Sequence, residues 1–143
     1  MSFFETTIRD LGGLLAIYGL TKDKVFVDKA RDLGDRLLPA FNSPSGLPYS
    51  LIDLSTGRGS GQSWNSGNHI LAEIGTVQLE FKYLSEVTDN PVYAEKANRV
   101  NEILKTQDTR DPGLYPVFYP VTTGHGAGTR KRETTLLWWE GSA

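Results

Sequence analysis

One spacing recurs through this chain. Thr21 matches Thr88, Val25-Phe26 matches Val92-Tyr93, Lys29-Ala30 matches Lys96-Ala97, and Gly46-Leu47 matches Gly113-Leu114, every pair 67 positions apart. A fixed offset shared across a whole segment marks a repeated structural unit. Here the unit reads as helix, short turn, helix, and then a loop containing Gly-Leu. A hairpin of this kind carries an apolar stripe that it cannot bury by itself, so neighbouring hairpins must cover it. The repeat therefore predicts an all-α chain made of about two helical hairpins of a larger toroid or barrel. An ordinary four-helix bundle is the competing fold. Bundles have short connections, whereas residues 42–68 form a Gly-, Ser- and Pro-dense connection of 27 residues.

Periodicity places the helices. Phe4, Ile8, Leu11, Leu15 and Tyr18 follow spacings of four and three, which predicts a first helix from about Phe3 to Leu20. A second helix is predicted from about Lys24 to Ala40, with Val25 or Phe26, Ala30, Leu33 and Leu37 on its stripe. The long connection reads as an ordered loop with an extended piece near residues 49–54. A third helix is predicted from about His69 to Val87, with Ile70, Glu73, Ile74, Val77, Phe81 and Leu84 on one side. Asn90-Pro91 is an N-cap followed by a first-turn proline, so a fourth helix starts there and runs to about Thr106. Asp111-Pro112-Gly113 breaks the chain, and LYPVFYP follows as an extended segment.

Composition removes several function classes. A net charge of −2 offers no basic field for nucleic acid, and the short run Arg130-Lys131-Arg132 reads as a solvated loop. With no cysteine, the chain has neither a disulfide nor a thiolate zinc site. No apolar run approaches the ~18 residues of a membrane span, and the N-terminus lacks the pattern of a signal peptide. A helical pattern within the first few residues reads as a piece of a longer protein. Phosphate-loop, serine-elbow and zinc signatures are all missing from the sequence.

Glu5 and Arg9 stand one helical turn apart, in the order that favours an ion pair. As an exposed pair they contribute only a few tenths of a kcal/mol, roughly. Gly12-Gly13 points further, because each glycine costs about 1 kcal/mol against alanine inside a helix. Such a cost suggests close approach of a backbone or ligand, with Glu5, Arg9 and Gly12 along one wall of a cleft. Glu73 lies among apolar neighbours, where a carboxylate must be paired or used, and Glu80 lies two turns further along. His69 and His125 have no second metal ligand at a suitable spacing and read as structural or solvent-facing. Trp64, Tyr115, Phe118 and Tyr119 are loop aromatics, suited either to stacking on sugars or to capping a core.

Four segments then carry a resemblance. FETTIRDLGGLLAIYGL, KARDLGDRLLPAFNSPSGLPYS, LAEIGTVQLEFKYLS and GLYPVFYP resemble, in order, successive segments of the class I α-1,2-mannosidases, glycoside hydrolase family 47. The likeness covers about residues 3–128. It implies a partial (α/α)7 barrel, of which 1–129 would be a fragment. It also implies an inverting, calcium-dependent removal of α-1,2-linked mannose from high-mannose N-glycans in the lumen of the endoplasmic reticulum or Golgi. Any membrane attachment would come through an anchor outside this chain. By the same resemblance Glu5 is the catalytic acid. Arg9 binds substrate and helps set that acid, Glu73 is a substrate-contacting carboxylate, and Glu80 is structural. The base, a further catalytic aspartate and the calcium-ligating threonine belong to family segments beyond this chain, so no metal ligand is assigned here and the fragment is expected to be inactive alone. After Thr129 the sequence RKRETTLLWWEGSA departs from the family pattern. Residues 130–143 are therefore expected to be a divergent tail exposing the apolar run Leu136-Leu137-Trp138-Trp139. A lectin-like, degradation-enhancing relative and a non-catalytic helical-repeat interaction module are the alternatives.

Overall fold

The structure, a computed structural model, describes residues 1–107 and 114–126 and the backbone of 134–136. Helices dominate it. The first helical run comprises α1 (Phe3–Glu5), a π-helical stretch (Thr6–Leu11) and α2 (Gly12–Thr21). It is followed by α3 (Lys24–Leu37) and a 3-10 turn over Leu38–Phe41. The second hairpin comprises α4 (Leu71–Ile74), α5 (Gln78–Thr88) and α6 (Pro91–Lys105).

The repeat is visible at the helix ends. Thr21 closes α2 and Thr88 closes α5, each donating its hydroxyl to the carbonyl four residues back, Ile17 at 2.9 Å and Leu84 at 2.6 Å. Each helix is followed by a residue in the left-handed region, Lys22 (φ 58°) and Asp89 (φ 52°). The next helices are N-capped by Asp23, which accepts from Val25 N–H at 3.0 Å, and by Asn90, which accepts from Val92 N–H at 3.2 Å. A cap satisfies a backbone donor that the first turn leaves unpaired, so short polar residues recur where the register restarts.

The loops add short antiparallel pairs to this helical frame. β1 (Leu51–Ile52) pairs with β2 (Gly59–Ser60), as the extended piece near 49–54 predicts. β3 (His69–Ile70) pairs with β5 (Phe118–Tyr119), and β4 (Leu114–Pro116) with β6 (Thr134–Leu136). The third predicted helix consequently starts later and is broken. His69 and Ile70 are extended because they pair with a strand almost fifty residues away, and α4 stops at Gly75 before α5 begins at Gln78. The expected tail, the run 130–132 and the break at 111–113 fall outside the described residues, apart from the backbone of β6.

The first helical run holds one residue more than its counterpart. Phe3 N–H donates to Ser50 C=O, and Leu71 N–H donates to Val117 C=O. Ser50 and Val117 are 67 positions apart, whereas Phe3 and Leu71 are 68 apart. The π-helical stretch lies between these anchors and the two closing threonines, and Gly12 N–H reaches back five residues to Thr7 C=O. A π-bulge is the way a helix accommodates one added residue. It also moves the buried face. Phe3, Thr7, Leu11 and Leu15 are buried at even spacings of four, in place of the predicted Phe4 and Ile8. Steps of four drift by about 40° each on an α-helix, and the wider turn takes up part of that drift. In α3 the buried positions are Val27, Ala30, Gly34 and Leu37, while Val25 is half exposed.

Phe3, Phe41 and Phe81 meet in the core with ring centroids 5.3 to 5.9 Å apart, two of the three contacts edge-on. Edge-on pairs add about 0.5–1.5 kcal/mol beyond area burial. α5 packs on the first hairpin where that hairpin has glycines. Leu84 fills the hollow at Gly34, where a Cβ would lie 2.4 Å from Leu84 Cδ2, and the Tyr83 hydroxyl lies 3.5 Å from the equivalent point on Gly19. Counting 67 back from Tyr83, Leu84 and Val87 gives Ala16, Ile17 and Leu20, which are exposed, Leu20 at 87%. Tyr83 and Leu84, which meet the first hairpin at its glycines, thus have exposed counterparts on that hairpin.

Candidate active site

Glu5 sits at the start of the first helical run. Ser2 caps it, its Oγ accepting from Glu5 N–H at 3.2 Å. Ser2 and Glu5 have capping-box spacing, in which the acid turns back to the cap. Here the Glu5 carboxylate instead turns forward and accepts from Arg9 Nε. Both side chains face outward, Glu5 46% and Arg9 73% exposed, and the bond and charge of Glu5 raise the Arg9 pKa. The helix face opposite, Phe3, Thr6 and Thr7, is buried, and Thr7 Oγ1 donates to Phe3 C=O at 2.8 Å. The core thus fixes the backbone of this turn and leaves the ion pair in the open.

Glu73 lies in α4 and is held by two donors. Ser50 Oγ donates to its Oε2 at 2.6 Å, and Gln62 Nε2 donates to its Oε1 at 3.1 Å. Ser50 also links the two candidate carboxylates, because its buried carbonyl anchors the first turn that carries Glu5. Trp64 Nε1 donates to Gln62 Oε1 at 2.8 Å, and the Trp64 ring meets Phe118 edge-on at 6.0 Å. Trp64 is 66% exposed, whereas Tyr119 caps the core, fully buried. The expectation that Glu73 must be paired or used therefore holds in its first half. Ser50 and Gln62 are missed by sequence reasoning, since no local pattern ties them to an acid 23 and 11 positions away.

Glu80 packs against Gly12. A Cβ on Gly12 would lie 3.5 Å from Glu80 Cγ and 3.6 Å from its Oε1. The other oxygen, Oε2, is buried with no hydrogen-bond partner among the described residues, and burial raises the carboxyl pKa. A methyl at Gly12 would make only ordinary contacts and one at Gly13 would meet nothing within 4 Å, so a close protein neighbour is not what selects these glycines. Gly12 faces Glu80, away from the expected wall with Glu5 and Arg9, and Gly13 borders open space.

His69 is buried in β3 and its Nε2 pairs with Ser45 Oγ at 2.9 Å, in a network continued by Ser43. Burial pushes its pKa down to about 4, against a smaller opposing pull from the Pro48 backbone. It is structural, as expected. His125 is exposed. Among the described residues no group of three or more His, Cys, Asp or Glu side chains comes together.

Comparison with known proteins gives this geometry a context. The family described as Glycosyl hydrolase family 47 matches residues 1–135. The chain belongs to this family. A mannosyl-oligosaccharide alpha-1,2-mannosidase IA of Spodoptera frugiperda is 51% identical over 125 residues, covering 87% of this chain and 18% of its own length. A mannosyl-oligosaccharide 1,2-alpha-mannosidase IB of Homo sapiens is 42% identical over the same share of this chain and 19% of its own. The solved structure of an alpha-1,2-mannosidase from Trichoderma reesei superposes with a TM-score of 0.79 at 31% identity, over 89% of this chain and 29% of that one. This family 47 chain thus spans about a fifth of the length of the curated relatives it matches.

Proposed function

We propose that this chain is part of the catalytic barrel of an α-1,2-mannosidase that trims high-mannose N-glycans. Glu5 acts as general acid, Arg9 as its substrate-binding partner, and Glu73 as a carboxylate that receives sugar hydroxyls. The observation that carries the reading is Ser50, which joins the turn bearing Glu5 to the Glu73 carboxylate. Two acids expected to serve one sugar are tied to one loop residue.

The exposed stripe at Ala16, Ile17 and Leu20 supports a partial (α/α)7 barrel, because the repeat counterparts of Ala16 and Ile17, Tyr83 and Leu84, meet the neighbouring hairpin at Gly19 and Gly34. In an inverting mechanism the acid protonates the leaving oxygen while a second carboxylate, about 6.5–9.5 Å across, activates water. The base belongs to another part of the barrel. Calcium dependence comes with the family; among the described residues no group of three or more His, Cys, Asp or Glu side chains comes together. Action in the lumen of the endoplasmic reticulum or Golgi follows from the substrate. No described helix is long and apolar enough to cross a membrane.

The test is binding and turnover by the purified chain. α-1,2-Mannobiose is expected to perturb the NMR signals of Arg9 and Trp64, and Glu73→Ala to weaken binding about tenfold, the effect of one charge-assisted hydrogen bond. With high-mannose glycan and calcium, no free mannose is expected. Mannose release would overturn the expectation that the chain is inactive alone, and equal binding of an α-1,6-linked disaccharide would overturn the assignment.

A further inference from the structure

We propose that Gln62 is a positioning residue that couples Trp64 to Glu73, so that ring and carboxylate grip one sugar as a unit. The identity of the sugar rests on the mannosidase reading above; the coupling does not.

The chemistry of the donors fixes the arrangement. An indole N–H can only donate, so the Gln62 atom facing Trp64 Nε1 at 2.8 Å must be the amide oxygen. That choice turns the amide nitrogen toward Glu73 Oε1, at 3.1 Å. Gln62 thereby accepts at one end and donates at the other, and neither bond can be kept if the amide flips. Ser50, itself buried, holds the second Glu73 oxygen at 2.6 Å. An ionised carboxylate offers about four acceptor positions, and these two donors occupy two of them. The remaining positions accept from a ligand.

The ring is held by a second contact besides the Gln62 bond. Phe118 meets it edge-on at 6.0 Å and 75°, which restrains the indole while two-thirds of Trp64 stays exposed. An exposed aromatic face, held at its edge beside an acceptor-rich carboxylate, suits a neutral pyranose. The apolar C–H face of the sugar covers the ring and its hydroxyls donate to Glu73. Polarisation along a hydrogen-bond chain strengthens each member, so a hydroxyl bound at Glu73 is felt at the Trp64 N–H.

Two measurements on the intact chain test this. In the first, with no sugar present, the Trp64 indole proton is followed by NMR as the solution is acidified, its signal identified by loss in Trp64→Phe. It is expected to shift as Glu73 takes a proton, to lose that response in Glu73→Gln, and to lose it in Gln62→Leu. In the second, α-1,2-mannobiose is titrated. Gln62→Leu is expected to bind about tenfold more weakly, the effect of losing one hydrogen-bonded contact. Gln62→Glu, which sets a second carboxylate against Glu73, is expected to bind poorly at neutral pH and to recover in acid, as the pair shares a proton. A residue that only packs the loop would lower the melting temperature without creating this pH dependence. An indole response that persists unchanged in Gln62→Leu, or mannobiose affinity that is the same in all three proteins across pH, would overturn the coupling. A wild-type chain that ignores mannobiose would instead overturn the mannose assignment, with the acid titration still deciding the coupling.

Discussion

His69 provides the sharpest stability experiment. Its ring is 1% exposed and bonded to Ser45 Oγ, and its pKa is about 4 in the folded chain. An unfolded histidine titrates near 6.5. The folded state therefore holds the neutral ring, and its pKa is depressed. The contribution to stability is fully present above pH 6.5, declines as the pH falls, and is gone near pH 4. Integrating the linkage relation between pH 7 and pH 5 gives a loss of about 2 kcal/mol, or roughly 6 °C in melting temperature for a chain of this size. Glu80 acts in the opposite direction, because a carboxyl whose pKa is raised by burial favours folding as it becomes protonated. The comparison must therefore be made within a pair. Wild type and His69→Gln are unfolded in urea at pH 7 and pH 5, glutamine being able to donate and accept but not to charge. Both proteins share the Glu80 effect, so the difference between their pH slopes isolates His69. The variant is expected to be less stable at pH 7 and to lose about 2 kcal/mol less on acidification. Equal losses in the two proteins would refute the argument that a buried neutral imidazole sets the acid sensitivity.

Two further substitutions probe packing. Tyr93 is buried in α6 and donates to Asp35 Oδ1 in α3 at 2.5 Å, joining the two hairpins. Tyr93→Phe is expected to destabilise by about 1.5 kcal/mol, the low end for bonds to charged groups because Asp35 stays solvated; calorimetry checks it, and an unchanged melting temperature would contradict it. Gly61→Ala would place a Cβ 2.2 Å from the Gly67 carbonyl oxygen, and backbone cannot yield as a side-chain end does. The loop carrying Gln62 and Trp64 is expected to open, with a loss of about 1–3 kcal/mol and a changed Trp64 indole signal. A native spectrum in this variant would mean that the close approach of Gly61 and Gly67 is not required.

The repeat was readable because its signals are local. Asp23 and Asn90 bond to an N–H two residues away, and Thr21 and Thr88 to a carbonyl four residues back, so the offset survives in sequence as caps and closures. Glu5 and Arg9 were readable for the same reason, lying one turn apart on one helix. The broken third helix was not. Ile70 fits a helical stripe by spacing, and it and His69 are drawn into a strand by β5, a partner that no window around them contains.

The amino-acid sequence alone determined that this chain is built from two helical hairpins, where their turns fall, and which acids were worth watching, because turns, caps and same-helix pairs depend on neighbours a few residues away. Tertiary structure alone decided how those acids are held. It placed Ser50 and Gln62 on Glu73, left one oxygen of Glu80 unpartnered beside Gly12, and showed the added residue of the first helix as a π-helical turn. Each of these arises where segments distant in the chain compete for the same space or the same hydrogen bond, and that competition has no local signature.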